Sequence, residues 1–192
     1  KLSSSFQNAV LAAGELEGVF PVDTKSLCTG MALLVIKACE MRDAGLPAKE
    51  IAEQIALLRE KVHTTFILNT LDYLSRGGRC SAVTAFGANL LSIKPSIEMV
   101  DGALEVGKKY RGKIETVYGQ YIRDQLSDPD KLDLSRAFLS HSGGGISEET
   151  LQAMKKEILR CAPFQEVQII RAGCTISAHC GPKTATVMFM EK

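Results

Sequence analysis

The sequence lacks the features that mark several common classes of protein. Its 192 residues include no tryptophan, and 23 basic residues nearly balance 22 acidic ones, for a formal net charge of +1. This balance gives no electrostatic reason to expect binding to nucleic acid or to an anionic membrane. The longest wholly apolar run extends only from Met31 to Ile36, far too short to cross a bilayer. We therefore expect neither a nucleic-acid-binding protein nor an integral membrane protein.

Paired cysteines and nucleotide-binding loops are missing as well. The six cysteines form no CxxC pair, and they stand at Cys28, Cys39, Cys80, Cys161, Cys174 and Cys180. A chain long enough to build a sizeable core does not need disulfides, so we expect free thiols and a cytoplasmic location. The Cys-x4-His-Cys spacing near the carboxyl end matches no usual zinc knuckle, so we expect no metal. Since no Gly-Lys-Ser/Thr loop occurs, we do not expect ATP to bind to this chain.

The pattern of apolar residues predicts a mixed fold. Up to residue 63, helical patterns surround one short strand pattern at residues 18–26, which favours an α/β domain with parallel strands. From residue 64 onward, about six strand patterns alternate with helices, which favours an α+β domain with a mostly antiparallel sheet. Asp101-Gly102 between two alternating runs predicts a type I′ hairpin, and residues 81–93 have helical spacing. We therefore predict two domains, residues 1–63 and residues 64–192.

Four short stretches contain polar residues that could bind a ligand. Ser3-Ser4-Ser5 begins a helix, where hydroxyl and N–H groups suit a carboxylate, although a plain N-cap is the more common use of such serines. Gly77-Gly78-Arg79 and Arg111-Gly112 each place an arginine beside glycine, either to bind an anion or as solvated surface. Gly181-Pro182 predicts a turn that holds His179, which could contact a carboxylate or simply cap a loop.

These stretches together resemble the DegV family, whose members bind long-chain fatty acids. The segment NTLDYLSRGGRCSAVTAFGANLLSIKPSIEMVDGAL (residues 69–104) matches the family's order of Thr-Leu-x-Tyr-Leu, Gly-Gly-Arg, Lys-Pro and Asp-Gly. The Arg-Gly pair at Arg111, the Ala-His-x-Gly-Pro motif at residues 178–182 and the opening LSSSFQNA follow the family as well. The likeness covers essentially all 192 residues. It also implies that the family's usual chain has a further N-terminal portion, so that residues 1–63 would be the C-terminal part of the α/β domain.

The resemblance implies a lipid carrier that is not itself an enzyme and that needs no cofactor. Two domains would enclose the acyl chain in an apolar tunnel at their junction, lined in part by the helix predicted for Ser81–Ile93. Some members of the family present the carboxylate to a separate fatty acid kinase, which forms an acyl phosphate with ATP. The resemblance assigns the carboxylate to Ser3, Ser5, Arg79, Arg111 and His179, and the shaping of the loops to Gly77, Gly78 and Gly181.

Two other functions stay open at this point. The chain could be a hydrolase or transferase that acts on acyl substrates through His179 and a nearby serine. A pair of His179 with Cys180 is a weaker alternative, because neighbouring residues in a strand point to opposite faces. A purely structural or regulatory module would have a solid interior without a tunnel.

Overall fold

The structure is a computed structural model, and it describes residues 2–79 and 93–192. These residues form seven α-helices and seven β-strands. The helices are α1 Ser5–Ala13, α2 Cys28–Asp43, α3 Ala48–Leu58, α4 Asp72–Gly77, α5 Ile114–Gln125, α6 Glu148–Cys161 and α7 Cys174–Cys180. The strands are β1 Val62–His63, β2 Thr65–Ile67, β3 Ile93–Val100, β4 Ala103–Arg111, β5 Leu132–His141, β6 Glu166–Arg171 and β7 Ala185–Glu191.

All seven strands belong to one sheet. Its order is β4-β3-β2-β7-β5-β6, and β1, which directly precedes β2, also pairs with β7. Among the described strands, β5 and β6 form the parallel pair, and the other pairs are antiparallel. Helix α6 connects the parallel pair, as a crossover connection requires. The predicted mixed α/β class with a mostly antiparallel sheet is confirmed.

Local sequence signals account for several of these elements. The turn between β3 and β4 has φ of 48° at Asp101 and 72° at Gly102, and a type I′ turn needs positive φ at both positions. At the start of α6, the Oγ of Ser147 accepts a hydrogen bond from the backbone N–H of Thr150, so Ser147 acts as an N-cap. Ile114, Val117 and Tyr121 of α5 are buried, as their helical spacing predicts.

Other predictions need correction. Residues 18–26 contain no strand, because no strand in the described part of the chain pairs with them. Residues 174–180 form the helix α7 instead of a strand or an irregular loop. The helix predicted for Ser81–Ile93 falls mainly on residues 80–92, outside the described residues, and Ile93 begins β3. The division into domains of residues 1–63 and 64–192 stays a prediction.

Apolar residues pack on both faces of the sheet, in one core on the first face and in two clusters on the second. On one face, α5 and α6 cover the main core, which includes Ile67, Leu139 and Val187. Neighbouring residues of a strand point to opposite sides of the sheet, so the remaining apolar residues of these strands lie on the opposite face. They form two clusters there. The α4–α7 cluster consists of Phe66, Leu68, Leu71, Leu74, Ile97, Leu104 and Cys180. The α2–α3 cluster consists of Leu33, Leu34, Ile55, Phe138, Met188 and Met190.

Candidate functional site

A cleft lies where the two clusters of the second face meet. Leu27, just before α2, packs against both clusters. The cleft is narrow, because its lining side chains leave a free volume of only about 20 Å³, the room of about one water molecule. It is lined by Leu27, Cys28, Phe66, Ser140, His141, Ser142, Ala172, Ile176, Cys180, Thr184, Thr186 and Met188. Residues from α2, α7 and three central strands thus enclose one mostly apolar space.

Hydroxyl groups in the floor of the cleft are bonded to other protein atoms. The Oγ1 of Thr29 and the Oγ of Ser140 are 2.7 Å apart. The Oγ of Ser142 accepts a hydrogen bond of 3.3 Å from the backbone N–H of Thr184. The hydroxyl of Thr184 donates to the carbonyl of Cys180 at 2.9 Å. Because hydrogen bonding lowers the cost of burying these groups, the floor can lie beneath a hydrocarbon chain.

The beginning of α2 is packed tightly against the sheet beside the cleft. The Oγ of Ser26 and the Oγ1 of Thr64 are 2.7 Å apart. A Cβ at Gly30 would lie 2.3 Å from the first of these oxygens and 2.7 Å from the second. Glycine is therefore needed here for close approach of the helix to Thr64, between β1 and β2. Cys28 has a φ of 52°, a conformation that side chains rarely adopt.

Arg79 and His179 come together at Gly77. His179 is half-buried in the last turn of α7, and its Nδ1 lies 2.2 Å from the position that a Cβ at Gly77 would occupy. Arg79 is exposed, and its Nη1 donates a 2.7 Å hydrogen bond to the carbonyl of Gly77. Cys180, next to His179, lines the cleft. A guanidinium and an imidazole thus lie beside the same glycine, near the end of the helix that borders the cleft.

Backbone geometry at two further glycines forms the surrounding turns. Gly78 ends α4 with a φ of 65°, and Gly181 follows α7 with a φ of 76°. Both values lie in the region that glycine adopts without a steric penalty. Helix α4 therefore stops just before Arg79, and α7 stops one residue after His179.

Ser3 and Ser5 line a second groove. The hydroxyl of Ser3 donates to the hydroxyl of Ser5 at 3.0 Å and accepts a 3.2 Å hydrogen bond from the backbone N–H of Ser5. Both serines are exposed. Neither serine hydrogen-bonds to Arg79 or His179 within the described ranges. Leu2, directly before them, packs against the α4–α7 cluster, so the serines begin next to that cluster.

Arg111 lies at a different place on the sheet. It is exposed at the end of β4, paired with Ile93, and it borders a surface pocket with Gln120 and Arg123. In residues 2–79 and 93–192, no hydrogen bond or ion pair joins it to His179. The structure thus places two of the five predicted polar residues, Arg79 and His179, beside the same glycine, and among the described residues no hydrogen bond joins these two to Ser3, Ser5 or Arg111.

The cysteines of the cleft are poor candidates for nucleophiles. Burial raises the pKa of the Cys180 thiol to about 12, with a further contribution from nearby Cys28. Burial also raises the pKa of Cys28 itself. Both groups are therefore thiols rather than reactive thiolates at neutral pH. No cluster of three metal-ligating side chains occurs in the part of the chain that the structure describes.

Sequence reasoning missed most of the residues that line the cleft. Phe66, Ser140, Thr186 and Met188 come from three strands that are distant in the sequence. The alternation within each strand indicates which residues share a face, but it does not indicate which strands become neighbours. In the sequence, the contact between Gly77 and His179 is indicated only indirectly. A glycine stands at the end of α4, where a helix accepts most other residues, and this suggests that another group lies close to it.

Comparison with known proteins identifies relatives along the whole chain. The family model described as "Uncharacterised protein, DegV family" matches residues 1–192. A DegV domain-containing protein of Clostridium acetobutylicum is 29% identical over 198 residues, which cover 100% of this chain and 67% of that protein. The chain therefore spans about two thirds of the length of such relatives.

Solved structures show the same fold. The structure described as fatty acid binding of a DegV family protein from Thermus thermophilus has a TM-score of 0.83 and 28% identity, covering 100% of this chain and 68% of that one. The Streptococcus pneumoniae fatty acid kinase (Fak) B3 protein, loaded with linoleic acid, has a TM-score of 0.80 and 22% identity, with coverage of 100% and 68%. Within the described residues, no helix is both long and apolar enough to cross a bilayer.

Proposed function

Because this chain belongs to the DegV family, we propose that it binds a long-chain fatty acid. The acyl chain enters at the cleft between the two clusters, whose lining side chains move apart to admit it, and the carboxylate is held beside Arg79 and His179. The observation that carries the proposal is that both side chains lie against Gly77, next to a helix that lines an apolar cleft.

Physical chemistry supports both ends of this ligand. Each CH₂ group removed from water contributes about 0.8 kcal/mol, so an acyl chain gains substantial free energy in an apolar cleft. A carboxylate at the mouth of the cleft loses part of its hydration and needs charged or hydrogen-bonding partners. A guanidinium provides paired N–H donors that match a carboxylate, and an imidazole provides one more.

The proposal includes a role as carrier and presenter. The bound carboxylate remains close to the exposed Arg79, where a separate fatty acid kinase can reach it. The kinase would transfer the γ-phosphoryl group of ATP to a carboxylate oxygen, giving an acyl phosphate and ADP. This chain supplies binding and orientation and no catalytic group, and we place it in the cytoplasm. Ser3, Ser5 and Arg111 remain proposed contacts of the ligand or of the partner.

Ligand binding tests the first part of the proposal. We expect lipid mass spectrometry of the purified protein to recover long-chain fatty acids, and titration with a fluorescent fatty acid to saturate at one site. Ile176→Trp, which would fill the cleft, is expected to weaken binding at least tenfold. Leu159→Trp, at an exposed position of α6, is the matched control. Absence of acyl species together with absence of binding would rule out a fatty-acid carrier.

The carboxylate site is tested separately. We expect Arg79→Ala to weaken binding of a fatty acid about tenfold while the affinity for the corresponding fatty alcohol changes little, because the alcohol has no charge. Lys156→Ala removes an exposed cation from α6 and serves as the control. Equal losses for acid and alcohol, or equal losses in the two variants, would remove Arg79 from the site.

The presenting role has its own measurement. Formation of acyl phosphate by a fatty acid kinase with ATP should depend on this protein and should fall with Arg79→Ala. Unchanged formation of acyl phosphate when the protein is omitted would refute this part and leave the binding proposal standing.

A further inference from the structure

Helices α4 and α7 are joined by a second contact between a ring and a glycine. A Cβ at Gly181 would lie 2.3 Å from Cδ2 and 2.7 Å from Cγ of Tyr73. The aromatic ring therefore lies flat against the glycine that follows α7. Tyr73 is in the first turn of α4, and 40% of its surface remains exposed.

This contact is the reciprocal of the one between His179 and Gly77. Helix α4 provides Tyr73 and Gly77, and the end of α7 provides His179 and Gly181. Each ring rests on the glycine of the other element, so the two elements touch at two points. Two points of contact restrict rotation of one short helix against the other, whereas a single contact would leave that rotation free.

Neither helix is long enough to hold its own orientation. Helix α4 has six residues and α7 has seven, and neither has a side-chain hydrogen bond at its N-cap. Helices this short are unstable alone and depend on packing. On their inner sides, Leu74 and Cys180 anchor them in the α4–α7 cluster. Nearer the surface, the ring contacts hold the end of α7 together with the hydrogen bond from the hydroxyl of Thr184 to the carbonyl of Cys180.

We propose that Tyr73 is a positioning residue that acts through His179. The ring of Tyr73 holds the turn at Gly181, and this turn keeps the imidazole of His179 against Gly77, whose carbonyl accepts the hydrogen bond from Arg79. Tyr73 itself makes no contact with the ligand, and its hydroxyl has no part in this role. The effect of Tyr73 on fatty-acid binding rests on the proposed function. The effect of Tyr73 on the orientation of His179 does not require a ligand.

The imidazole signals provide a direct test without ligand. We expect Tyr73→Ala to shift the ¹H–¹⁵N ring resonances of His179 and to leave those of His63 unchanged. Tyr73→Phe, which keeps the ring, should reproduce the native signals. Leu159→Ala removes an equally exposed side chain from α6 and should have no effect. Native His179 signals in Tyr73→Ala would overturn the proposal. If Tyr73→Ala does not fold, Tyr73→Leu takes its place in the same comparison, because leucine keeps apolar bulk but lacks the flat ring.

A double-mutant cycle shows whether Tyr73 acts through His179. We expect Tyr73→Ala to weaken fatty-acid binding about five- to tenfold in the native background and less than twofold in the His179→Ala background. Equal losses in both backgrounds would show a role independent of His179, and a loss in Tyr73→Phe as large as in Tyr73→Ala would assign the effect to the hydroxyl. Either result would refute the inference. If the native protein binds no fatty acid, the proposed function fails, whereas the resonance test still decides the positioning role.

Discussion

The imidazole of His179 occupies the space that a side chain at Gly77 would need. A Cβ at this glycine would lie 2.2 Å from Nδ1 and 2.9 Å from Cε1 of the ring. No real Cβ approaches another atom so closely, so the ring and any larger residue at position 77 exclude each other. The two glycines of the Gly-Gly-Arg motif are therefore needed for different reasons. Gly77 leaves space for a ring, whereas Gly78 adopts a positive φ that other residues rarely adopt.

This contact predicts the effect of Gly77→Ala. The new methyl group should push the imidazole out of its place against α4, because the ring can move more easily than the backbone of α4. We expect at least a tenfold loss of fatty-acid affinity in titrations, with a shift of the His179 ring resonances. Gly173→Ala is the matched control, since a Cβ there meets no atom within 4 Å and φ is −66°. Unchanged affinity in Gly77→Ala would mean that the position of His179 does not matter for binding.

A second glycine should be required for stability. In Gly30→Ala, the added methyl group would separate Ser26 from Thr64 and lift the start of α2 from the sheet. Overpacking of this kind costs about 1–3 kcal/mol, and urea unfolding would measure it. Gly14→Ala is the control, because its nearest atom would be 3.4 Å away and its backbone is helical. Equal unfolding midpoints for the two variants would contradict this role of Gly30.

An ion pair between α5 and α6 predicts a pH dependence of stability. Hydrogen bonds from Arg160 and Arg123 lower the pKa of Glu157 to about 2, compared with an ordinary value of 4.5 in the unfolded chain. A lowered folded pKa stabilises the fold fully above pH 4.5, and this contribution disappears as the pH falls toward 2.

The matching experiment uses Glu157→Gln. We expect the variant to be less stable than the native protein by about 1 kcal/mol at pH 7, the usual scale for such a pair, with the difference shrinking between pH 4.5 and pH 2. Urea unfolding across this range measures it, with Glu53→Gln on the exposed side of α3 as the control. A difference that stays constant with pH would show that the charge of Glu157 is not its source.

Thiol labelling checks the environment of the cleft. Cys174 is exposed and Cys180 is buried, and the pKa of Cys180 is raised to about 12. At pH 8 its thiolate fraction is lower by about a thousandfold than that of an ordinary thiol. Iodoacetamide should therefore modify Cys174 first and Cys180 only after unfolding, as read by peptide mass spectrometry. Labelling of Cys180 at the rate of Cys174 in the folded protein would show that the cleft is open to water.

Much of the fold follows from local patterns. The hairpin at Asp101-Gly102 depends on two consecutive residues, because the turn type needs positive φ at both positions. The inward face of α5 follows from the helical spacing of Ile114, Val117 and Tyr121. In contrast, residues 18–26 have the composition of a strand but form none, because pairing in a sheet depends on a neighbour and not on composition.

The sequence by itself determined the mixed class of the fold, the family and the motifs that contain Arg79 and His179. Only the tertiary structure decided that these two residues meet at Gly77, that Tyr73 covers Gly181 and that the cleft lies between two clusters on one face of the sheet. The physical reason is that a glycine in the sequence shows only that a side chain is missing at that position. Which ring fills the space beside it depends on residues from a distant part of the chain, and on the order in which the strands pack.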